Sequence, residues 1–273
     1  MTDRVPLLEL DGISKAFGAV QALSDVCFSV YAGEVVALVG DNGAGKSTLI
    51  KAIAGIHAID SGTIRFEGRE VNIHTPNDSK ALGISTVYQD LALCDNLDVV
   101  GNLYLGREAG RVPGPLGVMD ETSMEKKAVE VLRRLSVKIP SVRTQIAMLS
   151  GGQRQSVAVA RAVLWNSKVV LLDEPTAALG VAQTKEVLDL VKRLRDEGHG
   201  VVIISHNLVD VYEVADRITV LRLGRFVGTY EAAKTDRELM VGLMTGAVAG
   251  AAPVNPDLIQ DATAAATAQE AGR

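Results

Sequence analysis

The sequence predicts an α/β fold: a mainly parallel sheet core, an antiparallel β subdomain at the N-terminal end and a helical subdomain inserted into the core. Three observations carry the prediction. Short β-branched runs, Val169 to Leu172 and Val201 to Ile204, are continuously apolar, as strands buried on both faces are. Segments of helical spacing alternate with such runs in the C-terminal half, the pattern of a parallel sheet covered on both sides. From about Leu91 to Trp165 helical patterns dominate, before the alternation resumes.

Taken in order, residues Leu7 to Val30 alternate as antiparallel strands do, with Leu8, Leu10 and Ile13, then Val26, Phe28 and Val30, apolar. Val35 to Val39 is a compact apolar strand. A glycine-rich loop follows, and Ser47 to Ala54 has helical spacing. Gly62 to Ile73 reads as a strand pair turning at Glu67-Gly68, and Ile84 to Tyr88 as a short strand. Glu125 to Leu135 and Gln153 to Trp165 are the helical patterns of the insertion (about 91–165), with a Gly- and Pro-rich loop at Gly110 to Gly117. Val169 to Asp173, Val201 to Ser205 and Arg217 to Arg222 are strands; Gln183 to Glu197 and Val209 to Ala215 are helices. Past Gly246 the composition shifts to Ala, Thr, Gln, Gly and Pro with no aromatic residue. We therefore expect one folded domain over 1–246 and a disordered tail over 247–273. No internal repeat occurs.

Of the 273 residues, 47% are hydrophobic and 22% charged, the balance of a chain with a real core. A net charge of −5 argues against a nucleic-acid-binding surface. Cys27 and Cys94 lack metal-ligand spacing and fit a reducing compartment. Met1 to Leu10 has no apolar stretch of the signal-peptide kind, and no run approaches the roughly 20 apolar residues that span a bilayer. Work at a membrane would need another chain as anchor.

Three segments carry chemistry. Gly40-Asp41-Asn42-Gly43-Ala44-Gly45-Lys46-Ser47-Thr48 fits G-x-x-x-x-G-K-[ST] between a strand and a helix. Glycines there let backbone N–H groups point at phosphate oxygens, and the following helix adds its positive end. Lys46 reaches the β- and γ-phosphates, and the Ser47 hydroxyl can ligate Mg²⁺. Val169 to Pro175 ends a buried strand in Asp173 and Glu174, at the edge where open α/β sheets bind ligands. Asp173 is placed to orient a Mg²⁺ shell, and Glu174 to polarise an attacking water. Leu149-Ser150-Gly151-Gly152-Gln153 is at least a helix start, because Ser150 and Gln153 form a capping box. Its paired glycines also leave bare N–H groups at a helix N-terminus. A second phosphate-binding element in a chain with one phosphate loop suggests that two chains share each nucleotide.

The phosphate loop, the Leu149 to Gln153 pentapeptide and the Val169 to Pro175 strand, in that order, resemble ABC ATPase subunits, from about Leu7 to Met244. The resemblance implies the ABC form of the P-loop NTPase fold, ATP and Mg²⁺ as cofactors, and a head-to-tail dimer with a second ATPase chain. In that dimer ATP lies between one chain's phosphate loop and the other's Ser150, Gly151, Gly152 and Gln153. It assigns adenine stacking to Phe17, contact with Mg²⁺ and water to Gln89, and γ-phosphate contact to His206. It further implies integral-membrane permease subunits as partners, a peripheral place on the cytoplasmic face of the membrane, and an indirect sugar-binding protein partner outside it. The chain has Gly180 where many family members carry an aspartate that couples the two sites. Thr176 to Leu179, Val87 to Leu93 and Ser156 to Ala162 are similar to the monosaccharide-importer branch, which often fuses two ATPase units where this chain has one.

Other functions weigh less. An importer motor for a non-sugar solute fits the same motifs. A non-transport ABC ATPase acting on ribosomes or DNA would carry two units, coiled coils or basic extensions, and none is present. A regulatory subunit without turnover would lack Glu174 or His206, and both are present.

Overall fold

In the computed structural model, residues 4–108 and 119–248 are described. The expected loop at 110–117 and the tail from 249 onward lie outside them.

A ten-stranded sheet runs in the order β5-β4-β1-β2-β10-β9-β3-β8-β7-β6. Its parallel part is β9 (Arg217–Arg222), β3 (Glu34–Val39), β8 (Gly200–Ile204), β7 (Val169–Asp173) and β6 (Ile84–Val87). The antiparallel part is β1 (Leu8–Phe17), β2 (Val20–Val30), β4 (Ser61–Phe66) and β5 (Arg69–Val71), joined to the rest through β10 (Arg225–Glu231).

The parallel strands read as unbroken apolar runs because each residue has a core to enter. Val35, Ala37 and Val39 of β3 pack into one hydrophobic cluster, while Val36 and Leu38 pack into another on the opposite face. The same division splits Val170 and Leu172 from Val169 and Leu171, and Val201 and Ile203 from Val202 and Ile204. Successive strand side chains point to opposite faces, so a doubly covered sheet needs no polar alternation.

One cover holds α1 (Lys46–Ile53), through Leu49, Ile50 and Ile53, and the inner face of the antiparallel strands. The other holds α6 (Val181–Asp196), α7 (Leu208–Val214) and α8 (Arg237–Thr245). Packed on that second cluster are α3 (Val99–Tyr104), α4 (Glu121–Arg134) and α5 (Gly151–Leu164), which lie within residues 91–165.

Helix starts come earlier than the apolar periodicity marks them. α4 begins at Glu121 behind the cap Asp120, and α5 at Gly151 behind Ser150, because first turns are polar and carry no stripe. Four elements escape the sequence reading: α2 (Pro76–Ala81), α3, α8 and β10. The first two have six residues each, too few for a period to register. β10 carries Gly228 and charged ends, and finds strand geometry by pairing with β9.

Candidate active site

The carboxyl ends of β3, β7, β8 and β6 lie along one edge of the sheet, and each is followed by a residue the motifs single out. After β3, Gly40 (φ +152°) leads into the loop; a Cβ there would run into the carbonyl oxygen of Leu221. Gly45 (φ +98°) closes the loop in the left-handed region, where a Cβ would meet Ala22 O at 2.9 Å and Leu23 Cδ2 at 2.8 Å. The loop is thus wedged between β2 and the β9–β10 turn, and the Gly224 N–H donates to Ala44 O at 3.1 Å. Gly45 caps α1 with no side chain, so the helix presents bare N–H groups at its start. Asp41, Asn42, Gly43 and Ser47 are exposed, Ala44 is buried and Thr48 half-buried. Lys46 Nζ donates to Gly40 O (2.6 Å) and Asp41 O (3.0 Å), which holds the ammonium across the loop. Burial lowers the pKa of Lys46, and the charges of Glu174, Asp41 and Asp173 oppose that shift.

Asp173 is the last residue of β7, half-buried and paired with Ile204 of β8. Its pKa is raised, first by burial and then by Glu174, against the pull of Lys46 and Lys51. Glu174 leaves the strand at φ +49°, a left-handed conformation uncommon outside glycine. Its N–H donates to Ile204 O at 2.9 Å, so β8 holds the turn that aims the side chain out of the sheet edge. His206, beyond β8, sets Nδ1 2.8 Å from Glu174 Oε2; the histidine side chain is 74% exposed and the glutamate 18%. The two loops are pinned behind this pair: Thr176 Oγ1 donates to the buried Asp210 carboxylate of α7 at 2.6 Å. This link was not foreseen, since a threonine and an aspartate 34 positions apart carry no shared pattern.

Gln89 follows β6 and is exposed. Two clamps hold the segment after it. Arg161 of α5 donates to Ala92 O (2.8 Å) and Leu91 O (3.0 Å). Asn102 of α3, fully buried, accepts from Cys94 N (2.7 Å) and donates to Cys94 O (3.0 Å) and Asp98 O (3.0 Å). Phe17 ends β1 and is 44% exposed. His57 meets that ring edge-on at 5.0 Å and the Lys15 ammonium lies 5.5 Å from its centre. Neither neighbour had a sequence signal.

Ser150 and Gln153 form the expected capping box: Gln153 N–H donates to Ser150 Oγ at 3.3 Å and Ser150 N–H to Gln153 Oε1 at 3.0 Å. Gln153 Nε2 also donates to Lys138 O at 3.0 Å. A Cβ on Gly151 would lie 3.0 Å from Leu179 Cδ2, and one on Gly152 3.0 Å from Gln183 Cβ. The pentapeptide therefore abuts Leu179 and Gln183, whereas the phosphate loop abuts Ala22, Leu23, Leu221 and Gly224. Within one chain the two glycine-bearing elements share none of these partners.

A hydroxyl (Ser47), an amide (Gln89) and one carboxylate (Asp173) are hard oxygen donors, suited to Mg²⁺. Among the described residues no group of three or more His, Cys, Asp or Glu could hold an ion unaided. Such a sparse set fits a magnesium ion that also takes phosphate oxygens as ligands.

Residues 23–177 match the ABC transporter family. The xylose/arabinose import ATP-binding protein of Sulfolobus acidocaldarius is 46% identical over 244 residues, covering 89% of this chain and 96% of that protein. The fructose import ATP-binding protein of Rhizobium meliloti is 45% identical over 247 residues, covering 89% and 95%. A ribose import ATP-binding protein of Rubrobacter xylanophilus is 44% identical across 88% of this chain, which spans 47% of that relative. Among solved structures, a nucleotide-free ATP-binding cassette from an ABC transporter superposes with a TM-score of 0.75 at 27% identity, covering 88% of this chain and 95% of that one. A dimeric ATP-binding cassette bound to ADP and Pi gives 0.68 at 25% identity, covering 82% and 98%.

Proposed function

Because this chain belongs to the ABC transporter family, we propose that it is the ATP-hydrolysing subunit of an importer, energising monosaccharide uptake through separate integral-membrane permease subunits. The sugar-import names of relatives 44 to 46% identical support the cargo class. The observation that carries the enzymatic reading is the Glu174–His206 pair, at the sheet edge from which Asp173 and the Lys46 loop also emerge.

In this reading residues 40–48 wrap the phosphates, and Lys46 exchanges its two loop carbonyls for phosphate oxygens. Glu174 accepts a proton from water as the water oxygen attacks the γ-phosphorus and the bond to the β–γ bridging oxygen breaks, releasing ADP and phosphate; His206 fixes the Glu174 carboxylate and contacts the γ-phosphate. Bound Mg²⁺ would neutralise phosphate charge, held by Ser47, Asp173 and Gln89. Phe17 stacks on adenine. Ser150, Gly151, Gly152 and Gln153 face the nucleotide of a second ATPase chain, so a head-to-tail dimer completes each site. The folded unit is 1–246, with the helical insertion at about 91–165. No helix among the described residues is long and apolar enough to cross a membrane. The import role supports a peripheral place on the cytoplasmic face, held by the permease. A sugar-binding protein on the far side delivers cargo.

Two measurements test this. Glu174→Gln should bind ATP normally and hydrolyse it on the order of 10² to 10⁴ times more slowly, the range for loss of a general base. With the permease in liposomes, sugar-loaded binding protein should raise wild-type ATPase turnover. Equal turnover by both chains removes Glu174 as the base, and a permease that neither binds the chain nor alters its rate removes the transport role.

A further inference from the structure

Position 180 offers no side chain for coupling two composite sites, yet the segment around it is tightly placed. The Gly180 N–H donates to Gln183 Oε1 at 3.4 Å, so the third residue of α6 caps the start of its own helix. The same glutamine lies against the pentapeptide. A Cβ built on Gly152 would stand 3.0, 3.3 and 3.5 Å from Gln183 Cβ, Cγ and Cα, and one on Gly151 would stand 3.0 Å from Leu179 Cδ2. These separations leave no slack between the start of α5 and residues 179–183.

From there a stiff path leads back to Glu174. Leu179 N–H donates to Thr176 O (3.3 Å), Ala177 N–H to Glu174 O (3.1 Å) and Thr176 Oγ1 to Asp210 (2.6 Å). Glu174 and Ala178 both hold left-handed φ, +49° and +59°, conformations that leave a non-glycine backbone little room to move.

We infer that Gln183 is a positioning residue: by packing against Gly152 and capping Gly180 it couples the pentapeptide that serves the partner's nucleotide to the Glu174 that serves the chain's own. This rests on the shared-nucleotide reading above. A phosphate settling on Ser150 to Gly152 displaces Gln183 and Leu179 with it, and the turn at 174–180 carries the displacement to the carboxylate. Glycine at 151 and 152 then serves packing within the chain as well as bare N–H groups toward phosphate.

The test uses the full chain. A first arm checks the underlying reading: wild type must hydrolyse ATP, and Glu174→Gln must dimerise when ATP is added; failure here removes the shared-site reading itself. With that arm passed, wild type should show a Hill coefficient above one in ATP. Gln183→Ala should bring it toward one and lower kcat by about tenfold, some 1.4 kcal/mol, with the KM and melting temperature near wild type. Gln183→Glu, which keeps Cβ, Cγ and an acceptor, should restore both. A wild-type Hill coefficient of one, an unchanged one in Gln183→Ala, or a Gln183→Glu chain no better than Gln183→Ala overturns the inference.

Discussion

Asp173 shows how a single residue at this site is held against its own preference. Burial and the neighbouring Glu174 raise its pKa, and Lys46 and Lys51 only partly oppose them. Its carboxyl therefore titrates higher in the folded chain than in the unfolded one. That difference favours the folded state while the group is protonated, and the benefit is lost as pH rises through the folded-state pKa. Asp173→Asn removes the ionisation penalty. In nucleotide-free protein it should melt higher than wild type near neutral pH, by about 1–2 °C, and the gap should close on acidification. A gap that widens on acidification would contradict this assignment. The same variant should lose turnover, the usual conflict between a stable edge and a working one. Sequence order alone put Asp173 and Glu174 at a strand end. It was silent on the left-handed turn that aims Glu174 at His206, because backbone φ at one residue depends on what holds the residues around it.

At the scale of elements, the start of α5 was the most legible, since a capping box is a local pattern of two side chains and two N–H groups. Ser150→Ala should lower stability by about 1 kcal/mol in urea unfolding, and Ser150→Thr by much less, because Thr keeps a capping hydroxyl. Equal losses would place the role of Ser150 elsewhere. The phosphate loop was equally legible as to type, yet its glycines have a second reason that no motif states. Gly40 and Gly45 pass so close to β2 and to residue 221 that a methyl group has no space, and those neighbours come from distant parts of the chain. β10 and α8 were missed for the related reason that a strand with Gly228 inside it and a nine-residue helix gain their stability from β9 and the surrounding core, not from propensity.

Across the whole molecule, the helical subdomain packs on the sheet core through one shared hydrophobic cluster, and polar clamps fix the chain segment by which it leaves β6. Arg161 is the most telling, because α5 reaches with it to the carbonyls of Leu91 and Ala92, just beyond Gln89. Burial lowers the pKa of its guanidinium, and two carbonyl acceptors satisfy it there. Arg161→Ala leaves those carbonyls without their donor and frees residues 91–93 from the helix. Amide exchange over those residues should speed up about tenfold or more, the mark of a lost local constraint. Permease-stimulated turnover should fall further than basal turnover. Proportional losses in both would show that Arg161 supports the fold alone.

What the sequence determined by itself was whatever is local or periodic: the doubly buried strands, the loop with its lysine, the acidic strand end, the capped glycine pair. Each rests on a few adjacent residues whose chemistry does not wait for the rest of the chain. Tertiary structure decided the distances between them. It placed His206 against Glu174, drew Asp210 to Thr176, and set Gln183 against Gly152, pairings that join separate strands and helices. Such contacts have no sequence period, because packing in three dimensions selects them after the elements have formed.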